Sequence, residues 1–377
     1  MLKSNIAWMK KNVPSDLKVW KGMIQDIDWS QVAAKTKLSL QRDKDRITAE
    51  FKEFAAMDTS AKIDWLMNGD RHLGYLYKKD AIAFARREWK GLKSVGYDFV
   101  GWLKIWGGML NMVMKDPMSI MLAVFEYHWF ASYLATPAVV DRSVFGRRGK
   151  LLQADFDMWV AITHWAEDLI ANLIMADAKI GGNQKINKRI IMFDEMTMAQ
   201  MMAGFPNLLG IPYQMIPVFM VSEMDQLTLI PYIDAIESYG LPSDTCPLPT
   251  AECGCAVKDE YPMCGQGFIA SSMPCDGSVM ATSFQDRRFS KFMPSYPLCM
   301  PVRYDDEDTT EMAAADMKDC IHWVEGLTGE TWNWDTYFAT MEKMNECTRL
   351  EMEKWEINKT HYPQLVGSSF ELFRKWN

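Results

Sequence analysis

No cysteine occurs before residue 246, and the 377-residue chain has only five histidines. Its first 245 residues therefore lack the usual soft ligands for zinc or iron. A basic excess is missing as well. Forty-nine acidic against 41 basic residues give a net charge of −8, which argues against a nucleic-acid partner, because phosphate binding needs a basic face. The opening "MLKSNIAWMKKNVPSD" does not lead a charged stretch into a short apolar run, so no secretory signal is read there. A reducing, cytoplasmic location is expected, in which cysteines remain thiols or ligands. Long uninterrupted apolar runs are also wanting. The most membrane-like stretch, 117–140, carries Glu126 and His128 in its middle and prolines near both ends, and it reads as a buried helix with no membrane role.

What is abundant is methionine and tryptophan, 30 and 15 residues, recurring at helical spacing inside apolar stripes as core-filling side chains do. Residues 1–185 read as a helical N-terminal domain. Within it, segment 151–178 puts Leu152, Phe156, Trp159, Val160, Ala166, Ile170 and Ile174 on one stripe, with Asp157 and Asp168 opposite. Thr163 and Glu167 interrupt that stripe, and two glycines at 181–182 stop the helix. Segments 43–57 and 76–94 repeat the amphipathic habit. His72, His128 and His164 are isolated in sequence and read as packed residues rather than ligands.

At Lys188 the pattern changes. "KRIIMF" is a short apolar run flanked by charge, the sign of a buried parallel strand, and a helix over "TMAQMMAGFPNLLG" follows. A second strand is expected at "PYQMIPVFM", then a helix at "EMDQLTLIPYIDAIESYG", and further strands at "FIASSMPC" and "LCMPVRY". Strands alternating with helices indicate a parallel sheet with right-handed crossovers and a ligand beyond the carboxyl ends of the strands. The fold class is thus α/β: a helical N-terminal region, a Rossmann- or flavodoxin-like parallel half-domain at 186–304, and a helical segment at 305–377. In that last segment "DTTE" has capping-box spacing with Asp308 as cap, "GLTG" ends the first helix, and Cys320 and Cys347 read as small core residues.

Five of the eight cysteines cluster between 246 and 275: Cys246, Cys253, Cys255, Cys264 and Cys275. They form no pair of short Cys-x2-4-Cys knuckles, so zinc is not indicated. Cys246 precedes prolines that start a helix, and Cys275 ends the strand "FIASSMPC", with "DG" turning the chain sharply just after it. That is the sheet edge where a cofactor binds, and a thiolate facing a helix N-terminus is favoured in its metal-binding form. Cys299 reads as a buried strand thiol, and Arg287, Arg288 and Arg303 carry guanidinium groups of the kind that matches phosphate geometry.

These features in order resemble the 2-hydroxyacyl-CoA dehydratase and benzoyl-CoA reductase subunit family over its first α/β half, about 188–356: "KRIIMFDEMTMAQMMAGFPNLLGIP", "TCP" at a helix start, "SSMPCDGS" at a strand end, "RYDDED", "GLTG" and "NWDTYFATMEKMNECTRLEMEKW". The resemblance implies a [4Fe-4S] cluster held by three cysteines, of which Cys246 and Cys275 match the first two. The third belongs to a second α/β half, so the chain is expected to be truncated, completed by another polypeptide, or supplied locally by Cys253, Cys255 or Cys264. It further implies an acyl-CoA thioester substrate, a homologous second subunit and an ATP-dependent iron-sulfur activator. The implied reaction removes water from an (R)-2-hydroxyacyl-CoA through a ketyl radical. The alternatives are aromatic thioester reduction, as in the reductase branch, or a non-catalytic electron-relay or assembly role. Where family members of the dehydratase branch carry a serine at the end of the first strand, this sequence has Asp194 and Glu195, and Glu195 is the candidate substrate contact.

Overall fold

The computed structural model describes residues 52–68, 92–137, 150–180, 182–194, 199–213, 215–219, 221, 226–242, 244–271, 276–289, 293–299, 306–359 and 361. In chain order, the helices before the sheet are α1 (Thr59–Asn68), α2 (Leu92–Lys115), α3 (Pro117–Glu126), α4 (Phe130–Leu134) and α5 (Lys150–Ala176). Strands β1 (Ile190–Phe193) and β2 (Leu209–Pro212) follow, then helices α6 (Ile230–Glu237) and α7 (Pro247–Val257). Strand β3 (Gly267–Ser271), α8 (Asp276–Phe289) and β4 (Ser295–Leu298) complete the sheet, and α9 (Glu307–Thr328) and α10 (Trp334–Asn358) end the described fold. Among the described residues the elements before the sheet are helical, and a parallel sheet and trailing helices follow; of the helices expected at 43–57 and 76–94, residues 43–51 and 76–91 lie outside the described residues.

The four strands are parallel and ordered β2-β1-β3-β4. Side chains alternate between two layers, as a pleated strand requires. Ile190 and Met192 of β1 and Phe268 of β3 join α3, α5 and α7 in one core. Ile191, Phe193, Ile269 and Leu298 face the other way, onto Cys320, Ile321 and Val324 of α9 and onto Trp332. The connection from β1 to β2 moves in one direction along the sheet, whereas β2 to β3 and β3 to β4 move in the other. The direction of winding therefore reverses between β1 and β3, and the carboxyl ends of those two strands flank the position where sheets of this kind bind ligands.

Several local expectations are corrected. The strand expected over 212–220 lies at Leu209–Pro212, and Met215–Phe219 is a turn of π-helix. An apolar run without periodicity does not separate a strand from buried helix, and Pro217 has no N–H to give to a ladder. The helix expected over 197–210 is limited, among the described residues, to the turn Ala199–Met202. The last described strand falls at Ser295–Leu298; of the strand expected at 298–304, residues 300–304 lie outside the described residues. Both outer strands contain proline, at 212 and 297, which an edge strand tolerates. The cap of α9 is Asp306, whose Oδ1 accepts from Thr309 N at 2.7 Å, not Asp308. Gly329 closes α9 in the left-handed conformation, as "GLTG" predicts (φ 75°).

Stretch 117–137 is mostly buried, with Pro117 and Met121 exposed, and it is not one helix. Tyr127 is extended, and it ends α3. Two donors at this elbow are satisfied from the loop before β3: the His128 amide donates to Glu260 Oε2 and the Trp129 indole Nε1–H to Glu260 O, both at 2.8 Å. Buried Asp177 accepts from the Tyr127 hydroxyl, from Lys179 N at 3.0 Å and from Met263 N at 2.7 Å. Burial raises the Asp177 pKa, and the bond from Tyr127 opposes that rise. The helical region is thereby tied to loop 258–265, at the amino edge of the sheet, opposite the edge where a ligand is expected.

Candidate functional site

The carboxyl edge is formed by the ends of the four strands, Pro212, Phe193, Ser271 and Leu298. Helix α7 lies against the sheet with Ala251 and Cys255 in the same core as Phe268 and Ala270. Its C-terminal end joins β3 through the amino-edge loop, so its start points toward the carboxyl side. Cys246 is the N-cap of α7, is exposed, and has no side-chain cap bond. Pro247 supplies the fixed φ of a first helical residue, and Thr250 closes the turn, its Oγ donating to Cys246 O at 2.8 Å. The prolines after Cys246 thus start a helix as the sequence predicts.

The other thiols separate into two groups. Cys253 and Cys255 are 0% exposed and Cys264 2%, and all three pack in the apolar core. Burial pushes the Cys253 thiol up to about 12 and that of Cys264 well above its usual value. The three thiols considered as a local third ligand thus lie in the core, whereas a ligand must be a thiolate that reaches the metal. Cys320 is a core residue as expected, with its thiol pushed up to about 12 by burial. Cys347 is exposed on α10, contrary to the core role read for it. Cys299 is also exposed rather than buried: it follows Leu298 at the end of β4, and its N–H donates to Asp316 Oδ2 at 2.6 Å. Because Leu298 is in register with Ser271, Cys299 stands at the same sheet edge as the end of β3.

Cys275 and Glu195 lie outside the described residues, as do Arg303 and the side chains of Arg287 and Arg288. Their expected neighbours are defined: β3 ends at Ser271 and α8 begins at Asp276, either side of Cys275, and Asp194 precedes Glu195. Asp194 itself is buried at the end of β1. It is 2% exposed, and its Oδ2 accepts from both Ser271 N and Ser271 Oγ at 2.6 Å. Among the described residues no group of three or more histidine, cysteine, aspartate or glutamate side chains is placed to hold a metal ion. No described helix is long and apolar enough to cross a membrane.

His128 and His164 have packing and hydrogen-bond partners. The His128 ring meets Tyr232 edge-on at 6.1 Å, and His164 Nε2 pairs with Lys104 O at 2.8 Å. His72 lies outside the described residues.

Residues 226–375 match the family model described as 2-hydroxyglutaryl-CoA dehydratase, D-component. No curated protein and no solved structure gives a significant match. The matched segment begins just before α6 and takes in Cys246, β3, Cys275, β4 and both trailing helices. Through this segment the chain resembles the 2-hydroxyacyl-CoA dehydratase family, as the order of its motifs implies.

Proposed function

We propose that the chain is a subunit of a 2-hydroxyacyl-CoA dehydratase-like enzyme that removes water from an (R)-2-hydroxyacyl-CoA to give the 2-enoyl-CoA. Cys246 carries this reading. Of the four described cysteines of the matched segment that lie before β4, it alone is exposed, and it caps a helix whose start faces the ligand-binding side of the sheet. The donors present fit part of a thiolate-ligated site: Cys246 and Cys275 would hold a [4Fe-4S] cluster, while Cys253, Cys255 and Cys264 are withdrawn into the core. When bound, such a cluster supplies one-electron transfer and an iron with an open position for a substrate oxygen.

The chain's own residues do the rest. Residues 186–304 present the thiolates, Glu195 contacts substrate at the end of β1, and residues 305–377 connect this half to the remainder of the assembly. The β-proton of a hydroxyacyl thioester is not acidic enough for an ordinary base, which is why one-electron chemistry is invoked. The proposed partners are a homologous second subunit and an ATP-dependent iron-sulfur activator, in a reducing cytoplasm.

The test is turnover by the complex of this chain with its homologous subunit, given activator and ATP without oxygen, on a panel of 2-hydroxyacyl and aromatic thioesters. Enoyl-CoA product supports the proposal. Ring reduction alone would move the chain to the reductase branch, and turnover of neither class would leave only electron relay or assembly.

A further inference from the structure

Helix α10 runs for 25 residues, yet none of its described side chains is buried. Helices of that length are normally held by packing an apolar face, and α10 carries such a face on its outside. At alternating steps of three and four residues stand Phe338, Met341, Asn345, Thr348, Met352 and Trp355, the spacing of a coiled-coil seam. Phe338, Met352 and Trp355 are each 57% to 65% exposed. The order of the six is symmetric: from either end it reads aromatic, methionine, polar. Two copies laid antiparallel about a point between Glu346 and Cys347 therefore set Phe338 against the partner's Trp355, Met341 against the partner's Met352 and Asn345 against the partner's Thr348. Like chemistry meets like in every layer of the seam.

From this pattern we infer that α10 is a self-association surface, on which a second copy of this chain pairs antiparallel along the seam. The flanking charges select that direction. Antiparallel, Glu342 meets the partner's Arg349 on both sides of the axis, whereas a parallel pair would set Glu351 against the partner's Glu356. Arg349 already donates three hydrogen bonds to Glu346 and Glu353 of its own helix, and two of its five N–H groups are left for the partner's Glu342. Asp335 and the partner's Glu356 are the like-charged pair at the ends, where Lys359 offsets Glu356. The seam from Phe338 to Trp355 is about 26 Å long, and six side chains from each copy bury on the order of 1,000 Å² in all, the low end for a specific interface. The pairing does not depend on the cluster reading: it joins two subunits of the same kind whether or not each also holds a homologous one.

Sedimentation equilibrium of the full-length chain, alone and with its homologous subunit, tests this from about 1 to 100 µM, a range suited to a small interface. Two copies of the chain per particle are expected at the upper end in both cases. Phe338→Glu is expected to weaken self-association by at least about thirtyfold, as loss of an aromatic anchor does. Glu342→Arg sets arginine against the partner's Arg349 and is expected to weaken it about tenfold, while Glu342→Arg combined with Arg349→Glu is expected to return it to within about threefold of wild type. A far-UV spectrum matching wild type shows that a variant has folded; should one fail to fold, the other carries the test. A chain that stays single over the whole range would overturn the inference, as would self-association that Phe338→Glu and Glu342→Arg leave intact. No recovery in the double variant would overturn the antiparallel pairing. Loss of the homologous subunit from Phe338→Glu, with self-association unchanged, would assign the face to that subunit instead.

Discussion

Tyr232 of α6 donates its hydroxyl hydrogen to Glu260 Oε2 at 2.6 Å inside the core shared by the helical region and the sheet. The same oxygen takes the His128 amide, so one carboxyl joins α6, the α3–α4 elbow and the loop entering β3. Burial and the nearby carboxyl raise the Tyr232 pKa well above its usual value, which keeps the hydroxyl a donor. Glu260→Ala would leave buried donors unsatisfied and is expected to cost about 3 kcal/mol. Tyr232→Phe removes one bond and is expected to cost about 2 kcal/mol, with the double variant costing less than the two together. Urea midpoints of the three variants check this.

Gly254 is where α7 meets α6. A Cβ added there would stand 1.9 Å from the backbone oxygen of Tyr232, which has no freedom to move aside. Gly254→Ala is expected to push the helices apart and destabilise the fold by about 3 kcal/mol. Because α7 carries Cys246 at its start, the same variant is expected to disturb Cys246 more than the remote Cys347. The ratio of their labelling rates, measured alongside the unfolding midpoint, reports both effects.

Glu167 of α5 is 2% exposed and packs over Gly108 of α2, beside the His164 ring. Burial raises its pKa from 4.5 to about 9. Between those two values the folded chain holds a proton that the unfolded chain has released. This contribution to stability is therefore complete below pH 4.5 and declines as pH rises toward 9, by about 1.4 kcal/mol per pH unit. Glu167→Gln, which mimics the neutral acid, is expected to flatten that decline and to be more stable than wild type at pH 8. Thermal unfolding from pH 5 to 9 of both proteins measures it; parallel curves would contradict the assignment.

The exposures of the thiols give a labelling order. In the native protein Cys246, Cys299 and Cys347 are expected to react with iodoacetamide within minutes, whereas Cys253, Cys255, Cys264 and Cys320 react only on unfolding. Peptide mapping after a short pulse checks each thiol separately. Rapid reaction of Cys253 or Cys255 would mean that α7 does not pack as described.

Much of the sheet was legible in the sequence because β1 is a four-residue apolar block flanked by charge and β3 is equally apolar. The outer strands were not, since Pro212 and Pro297 argue against strand until their edge positions are known. The start of α7 at Pro247 could be read from local chemistry, and with it the setting of Cys246. Burial could not: Cys253 and Cys255 lie in the same stretch as Cys246, and only the packing of α6 and α8 against α7 separates core thiols from an exposed one. The Asp194–Ser271 pair was hidden for a different reason, because hydrogen bonds between residues 77 apart leave no periodic trace. Cys299 was misread as buried; it follows β4 and is exposed.

Metal analysis of the anaerobically purified chain with its homologous subunit tests the central assignment most directly. The account predicts iron and acid-labile sulfide at about four each per cluster-bearing chain, with the iron assigned to this subunit lost in both Cys246→Ser and Cys275→Ser. Stoichiometric zinc in place of iron, or iron and sulfide retained in full by both variants, would contradict it.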